Sequence, residues 1–214
     1  MTFRLPVSCV EQGRWHAVSR HFQTQYYATP RLRADKVRSV QRQGDGDAMS
    51  DQGQVWQNVA EVLSDMKVDS MTGSLTDAYE KSGDVLKAYR EKLALPKNAT
   101  GVLVASGKEV IGLDLFESPK VLQSLWPRIS DSYFLEAARG GQACRPTPAA
   151  IAEDFLTRVP RNLRPSKRAS SAGTELDVDG PGLVGTAVWF QDRLCHLSAF
   201  TLAEDNHDTE RVVQ

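Results

Sequence analysis

Residues Gly101–Phe116 read Gly-Val-Leu-Val-Ala-Ser-Gly-Lys-Glu-Val-Ile-Gly-Leu-Asp-Leu-Phe, with an aliphatic run on either side of Ser106-Gly107. Glycine tolerates the positive φ of a tight turn and β-branched residues favour strands, so the stretch predicts a β-hairpin. A turn at Ser106-Gly107 would set Leu103 opposite Val110. Because side chains alternate between the faces of a strand, we expect Asp114 on one face with mainly apolar neighbours. The other face would carry a purely aliphatic set: Val102, Val104, Ile111, Leu113 and Leu115.

The remaining chain shows helical periodicity and one more hairpin. Apolar residues recur every three to four positions after capping signals at Asp51, Ser74, Ser118 and Thr147. The helix that begins at Asp51 is expected to cover the aliphatic face of the first hairpin. A second hairpin is predicted around Gln191-Asp192, with His196 opposite Ala187. We therefore predict an α+β fold of antiparallel β-hairpins packed against three to four amphipathic helices.

The length of 214 residues is enough for one substantial core. We predict a single α+β domain over residues 1–202. Arginines, prolines and serines dominate residues 158–173, a composition typical of a flexible basic linker. Residues 203–214 are mostly polar and are predicted to form a disordered tail.

The composition excludes several classes of function. The 26 basic and 27 acidic side chains give a net charge of −1, so no overall field favours nucleic acid or an anionic membrane. Nucleic-acid binding through the basic runs Arg31–Arg42 and Arg158–Arg168 is thus the least favoured hypothesis. The three cysteines are too few for a disulfide framework, and no metal site is predicted. With neither a membrane-spanning run nor a signal peptide in view, the cytoplasm is the expected location.

Several stretches together carry a family resemblance. Leu5–Trp15 reads Leu-Pro-Val-Ser-Cys-Val-Glu-Gln-Gly-Arg-Trp, and it is followed in order by Asp51–Trp56, Thr72–Leu75, Gly112–Phe116, Val184-Gly185 and His196–Phe200. This succession resembles the ARG and rhodanese-phosphatase superfamily-associated protein domain, in which ARG stands for ADP-ribosylglycohydrolase. The resemblance covers most of the chain and implies a link to NAD and ADP-ribose metabolism, without supplying a reaction. Family members usually carry a further strand-rich segment first, so the chain resembles a truncated member whose N-terminal sheet edge is incomplete.

The candidate site residues are reactive side chains on predicted strand ends and loops. Glu11 and Asp114 are the catalytic candidates, because a half-buried carboxyl group can have a raised pKa and act as a general base. Arg14 would clamp a phosphate or carboxylate, and Trp15 would stack on a flat base. The other ligand-binding candidates are Cys9, Gln12, Asp51 and His196.

Structural explanations of the same residues stay open. The polar groups of Cys9–Trp15 can pair with one another at a strand end, and Asp51 can simply cap a helix. His196, among apolar neighbours, can be a satisfied core histidine.

The sequence contains no nucleophilic triad, P-loop, zinc spacing or dinucleotide-binding glycine motif, so it specifies no reaction. The first hypothesis is a module that binds or acts on an ADP-ribose-like or nucleotide-like small molecule. The alternative is a non-catalytic scaffold that meets a partner protein at an exposed sheet edge. Whether the protein is an enzyme, and whether it uses a cofactor, stays open at this point.

Overall fold

The computed structural model describes residues 8–14, 26–42, 51–139, 146–167 and 173–202. The helices in these ranges are α1 (Pro30–Arg42), α2 (Gln52–Asp65), α3 (Leu75–Lys81), α4 (Gly83–Lys92), α5 (Pro119–Arg139) and α6 (Ala149–Arg161). The strands are β1 (Gly101–Ser106), β2 (Glu109–Phe116), β3 (Leu163–Pro165), β4 (Thr174–Gly180), β5 (Leu183–Phe190) and β6 (Arg193–Thr201). The predicted α+β class is confirmed, with more helices in the described ranges than the sequence indicated.

The strands form one antiparallel sheet in the order β1-β2-β6-β5-β4-β3. The two predicted hairpins, β1–β2 and β5–β6, lie side by side because β2 pairs with β6. In that pairing Phe116 is opposite His196, and Asp114 is opposite Ser198. The sheet therefore brings two stretches far apart in sequence onto neighbouring central strands, while β1 forms one outer strand.

The first hairpin has the predicted strands but a different turn and register. Its turn residues are Gly107-Lys108, with a φ of 63° at Gly107, rather than Ser106-Gly107. A register shift leaves Ile111 as the extra residue of a β-bulge between the β1–β2 pairs. As a result Asp114 lies opposite Val102, and the predicted division of the two faces is wrong.

The second hairpin turns at Gln191-Asp192, as predicted, with positive φ angles of 48° and 60°. Here too a register shift occurs, and the extra residue is Cys195. His196 is therefore opposite Val188, and the predicted pairing with Ala187 is wrong. A bulge inserts one residue in only one strand, so every pairing beyond it moves by one position.

Helices cover both faces of the sheet. On one face α6 inserts Phe155 and Val159 among apolar residues of β2, β4, β5 and β6. On the other face α5 packs against Phe116, and α1 packs against β5 and β6 through Ala34. The covering by amphipathic helices follows the prediction, and the sheet face that carries Asp114 and His196 is the one below α1 and α5.

Helix α2 does not cover the hairpin, contrary to expectation. Its buried stripe, Val55, Val59, Val62 and Leu63, belongs to a cluster with residues of α1, α3, α4 and α5. The apolar period showed which side of the helix is buried, but it did not show which element covers that side.

The prediction of a flexible linker over residues 158–173 also needs correction. Arg158 and Arg161 lie in the last turn of α6, and Leu163–Pro165 form β3, paired with β4. Residues 158–161 are helical because Val159, only 3% exposed, packs into the core between arginines that remain at the surface. Residues 168–172 of the expected linker and the expected tail at 203–214 lie outside the described residues.

Candidate functional site

Residues Cys9–Arg14 form a corner whose first anchor is Gln52, at the start of α2. The Gln52 amide donates from Nε2 to the carbonyl oxygen of Cys9 at 2.7 Å. Its Oε1 accepts from the Cys9 backbone N–H at 3.0 Å. The side chain thus satisfies both backbone polar groups of Cys9, as a neighbouring strand would.

The second anchor of the corner is the turn before α3. The backbone N–H of Gly13 donates to the Thr72 carbonyl at 2.6 Å, and that of Leu75 donates to the Val10 carbonyl at 3.0 Å. A Cβ on Gly13 would lie 2.9 Å from the Thr72 Cα, so only glycine fits this close approach. Sequence segments around residues 9–14, 52 and 72–75 therefore meet in one place.

Within the corner, the charged candidates pair with each other. The Arg14 guanidinium donates to Glu11 Oε2 at 2.7 Å, and both side chains are 15% exposed. The Cys9 thiol donates to the Glu11 carbonyl at 3.2 Å, while Gln12 is exposed. Trp15 lies outside the described residues. The polar groups of the corner pair with one another, as expected, but within the described residues Glu11 makes an isolated β-bridge with Ser74 and does not end a strand. An acid and a cation are held near the surface.

Asp51 has a structural role beside this corner. It is the N-cap of α2, and its Oδ1 accepts from the Gln54 backbone N–H at 3.1 Å. A carboxylate in this position satisfies a backbone donor that the helix leaves unpaired. The capping interpretation of Asp51 is confirmed.

Asp114 and His196 belong to a different contact network, centred on the Asp114 carboxylate. The Asp114 side chain is completely buried. Arg33, from α1, donates to Oδ2 at 2.9 Å and to Oδ1 at 2.6 Å. The same guanidinium lies 4.6 Å from the centre of the Phe200 ring. A bidentate, charge-assisted ion pair of this kind offsets the free-energy cost of burying a carboxylate.

Two further side chains reach the same carboxylate. The Tyr133 hydroxyl, from α5, donates to Oδ2 at 2.9 Å, and His196 Nε2 lies 3.2 Å from Oδ1. Gly112 makes room for this arrangement. A Cβ at Gly112 would lie 2.7 Å from a Phe200 ring carbon and 3.0 Å from the Tyr133 hydroxyl. The strand therefore needs a residue without a side chain at this position.

The network fixes the charge state of Asp114. Burial by itself raises the pKa of the carboxyl group, but the Arg33 charge and the hydrogen bonds of His196 and Arg33 oppose it and lower the pKa to about 2. The expectation that Asp114 has a raised pKa is therefore wrong, and the ionised group is a poor general base near neutrality. Burial and the Asp114 charge raise the pKa of Tyr133 well above its usual range, so the phenol keeps its proton and donates.

His196 is more exposed to solvent than Arg33 and Asp114, its partners in this network. Its side chain is 36% exposed, compared with 15% for Arg33. The imidazole stacks on the Phe116 ring, with 4.7 Å between the ring centres. Because Nε2 faces an ionised carboxylate, we assign the proton of the neutral ring to Nε2, which leaves Nδ1 as a hydrogen-bond acceptor. His196 is thus held in place by a buried acid while its side chain is 36% exposed.

Sequence reasoning missed Arg33 and Tyr133. Arg33 lies within the basic run Arg31–Arg42, and no motif in the sequence distinguishes Tyr133 from the other aromatic residues. A single carboxylate within an apolar strand does signal a buried cation, because an uncompensated charge in a core is costly. That signal does not say which of the many cations supplies the charge.

The described ranges hold neither a metal-binding cluster nor a membrane-spanning helix. They contain no group of at least three His, Cys, Asp or Glu side chains placed to hold a metal ion. Among their helices, none combines the length and the apolar character that crossing a membrane requires.

Comparison with known families confirms the family resemblance of the sequence. The model of the ARG and rhodanese-phosphatase-superfamily-associated protein domain matches residues 1–200. The chain belongs to this family. No curated protein and no solved structure gives a significant match.

Proposed function

We propose that this protein binds or acts on a nucleotide-like small molecule of NAD or ADP-ribose metabolism, with His196 as the residue that exchanges a proton with it. The observation that carries the proposal is the contact between buried, ionised Asp114 and solvent-accessible His196. The family name, which associates the domain with ADP-ribosylglycohydrolase proteins, supports the class of ligand.

The physical argument starts from the rigidity of the acid. Asp114 receives donors on both oxygens from Arg33 and Tyr133, so its carboxylate does not rotate freely. A fixed carboxylate orients the imidazole and selects its tautomer, and imidazole is the commonest acid–base group of enzymes at neutral pH. The role expected for Asp114 therefore changes from general base to positioning residue, and His196 becomes the proton-transfer candidate.

The Cys9–Arg14 corner is proposed as a second ligand contact. The planar Arg14 guanidinium suits a phosphate, and Glu11 suits a ribose hydroxyl. Both side chains are partly exposed, so a ligand can replace their mutual ion pair without burying an unpaired charge. Cys9, Gln12 and Trp15 stay candidate ligand contacts of the same corner.

The test combines binding and turnover. We expect heat of binding with ADP-ribose or NAD in calorimetry, and chromatography of the incubated ligand detects any product. His196→Gln keeps a donor for Asp114 but cannot carry a proton, so it should lower turnover by about a hundredfold, within the usual range for acid–base catalysis. If the protein only binds, the same variant should weaken affinity by about tenfold, the equivalent of one hydrogen bond.

The matched control is Arg193→Gln, on the same strand, where the side chain is 69% exposed and pairs only with Glu117 in the described structure. It should leave both readouts unchanged. A folded wild-type sample that shows neither heat nor product with both ligands would contradict the proposal. If His196→Gln and Arg193→Gln bind and turn over the ligands equally well, His196 has no role in the proposed function.

A specific observation also favours the scaffold alternative. Within the described ranges β1 is one of the two outer strands of the sheet, and none of its six residues is charged. An uncharged outer strand is a surface on which a partner protein can add a strand. Under this alternative, cellular function survives His196→Gln and Glu11→Gln but fails in a folded Val104→Lys variant.

A further inference from the structure

A cleft of about 380 Å³ lies between the C-terminal turn of α1 and the strands β3 and β4. Its polar lining comes from Gln41 on α1, from Arg164 and Lys167 at and just beyond β3, and from Asp177 and Asp179 on β4. The cleft is lined by other residues than those of the Asp114 network and the Cys9–Arg14 corner. Its volume is in the range of small-molecule sites.

The cleft joins the two basic runs that the sequence keeps far apart. Arg38, in the first run, pairs with Asp179 at 2.8 Å and neutralises that carboxylate. From the second run, Arg164 is directly opposite Asp177 in the β3–β4 pairing, so both side chains leave the same face. One guanidinium nitrogen of Arg164, Nη1, donates to the carbonyls of Arg161 and Leu163 at 3.1 and 2.9 Å. Within the described part of the chain, no carboxylate lies within ion-pair distance of exposed Lys167. The cations are thus in excess over the acids.

Gln41, in the wall of the cleft, carries an unsatisfied acceptor. Gln41 Nε2 donates to the Gly185 carbonyl at 2.9 Å, which ties the end of α1 to the sheet. Its Oε1 is buried, yet no hydrogen-bond partner for it exists in the described structure. A buried acceptor without a partner is unfavourable, and a hydroxyl or amino group of a ligand can satisfy it after a small side-chain shift.

From this arrangement we propose that the cleft binds a phosphate-bearing small molecule that also carries hydroxyl groups, such as a sugar phosphate. The phosphate contacts Arg164 and Lys167, because a planar guanidinium and an ammonium group both bind phosphate oxygens. The hydroxyl groups donate to Asp177 and Gln41. This site goes beyond the function proposed for His196 and does not depend on it.

The probes are ribose 5-phosphate and unphosphorylated ribose, titrated into the full chain by calorimetry. We expect ribose 5-phosphate to bind and ribose to bind at least tenfold more weakly, since one charge-assisted contact corresponds to about 10- to 100-fold in affinity. Lys167→Ala and Arg164→Ala should each weaken ribose 5-phosphate binding by about tenfold or more. Lys108→Ala, in the turn of the first hairpin, is the control and should change nothing.

The proposal is overturned if ribose 5-phosphate does not bind, or if Lys167→Ala binds it as tightly as the wild type. It is also overturned if duplex DNA binds in a salt-dependent way that ribose 5-phosphate does not inhibit, because the basic groups would then serve nucleic acid. His196→Gln should bind ribose 5-phosphate normally. Loss of ADP-ribose binding in that variant, with ribose 5-phosphate binding intact, separates this site from the function proposed for His196.

Discussion

Arg33 and Asp114, separated by 81 positions in the sequence, form a bidentate ion pair. Its shorter contact, from Arg33 Nη2 to Asp114 Oδ1, is 2.6 Å. Asp114 is completely buried, and the Arg33 side chain is 15% exposed. The pair joins α1 to the centre of the sheet, and its carboxylate also holds Tyr133 and His196. The geometry of the candidate proton-transfer residue therefore depends on a contact between a helix and a strand.

Breaking this ion pair should destabilise the fold strongly. Asp114→Asn and Arg33→Met each leave one buried charge uncompensated, at a cost of about 3–5 kcal/mol in the free energy of unfolding. The double variant removes both charges and should lose less than the sum of the single variants. Urea denaturation of all four proteins measures the coupling. Additive losses would show that the two side chains do not interact.

The same pair should make stability depend on pH in the acid range. Folding lowers the pKa of Asp114 from its ordinary value of 3.8 to about 2, so the ionised group favours the folded state. This contribution, about 2 kcal/mol, is present above pH 4 and is lost as the pH falls toward 2. The difference in stability between wild type and Asp114→Asn should therefore shrink on acidification.

The control for this titration is Asp69→Asn, at an exposed position between α2 and α3. Its difference from the wild type should stay small throughout the titration, because a substitution at an exposed position without special contacts changes stability by less than about 0.5 kcal/mol. A constant difference for Asp114→Asn as well would contradict the assigned charge state.

Gly112 and Gly83 should respond to alanine in opposite directions. At Gly112 the added methyl group would lie 2.7 Å from Phe200 and should destabilise the protein by about 1–3 kcal/mol. At Gly83, in α4, nothing lies within 4 Å, so alanine should stabilise by up to about 1 kcal/mol through helix propensity. Thermal unfolding of both variants measures the two changes in stability. A neutral Gly112→Ala variant would show that Phe200 and Tyr133 can move away.

Gln52 should hold the Cys9–Arg14 corner in place. Gln52→Ala removes both hydrogen bonds to the Cys9 backbone and should cost about 1–3 kcal/mol. Amide hydrogen exchange of residues 9–14 should accelerate, because the corner opens locally. Gln57→Ala, at an exposed position of the same helix, is the matched control and should leave exchange unchanged. Equal exchange in the two variants would rule out Gln52 as the anchor.

The sequence by itself determined the local elements. The turn at Gln191-Asp192, the cap at Asp51 and the apolar stripe of α2 all follow from signals within a few residues of one another. Such signals work because turn conformation, capping and helical periodicity depend on neighbouring backbone and side chains. The α+β class and the family assignment followed from the order of these elements and motifs.

Only the tertiary structure decided which residues share the candidate sites. The bulges at Ile111 and Cys195 set the register of both hairpins, and no local pattern marked them. Arg33 belongs to a basic run in the sequence, but the buried Asp114 draws it into the core, where an unpaired carboxylate would be unfavourable. Burial and charge pairing depend on distant segments meeting, so the network that positions His196 is defined by packing rather than by sequence spacing.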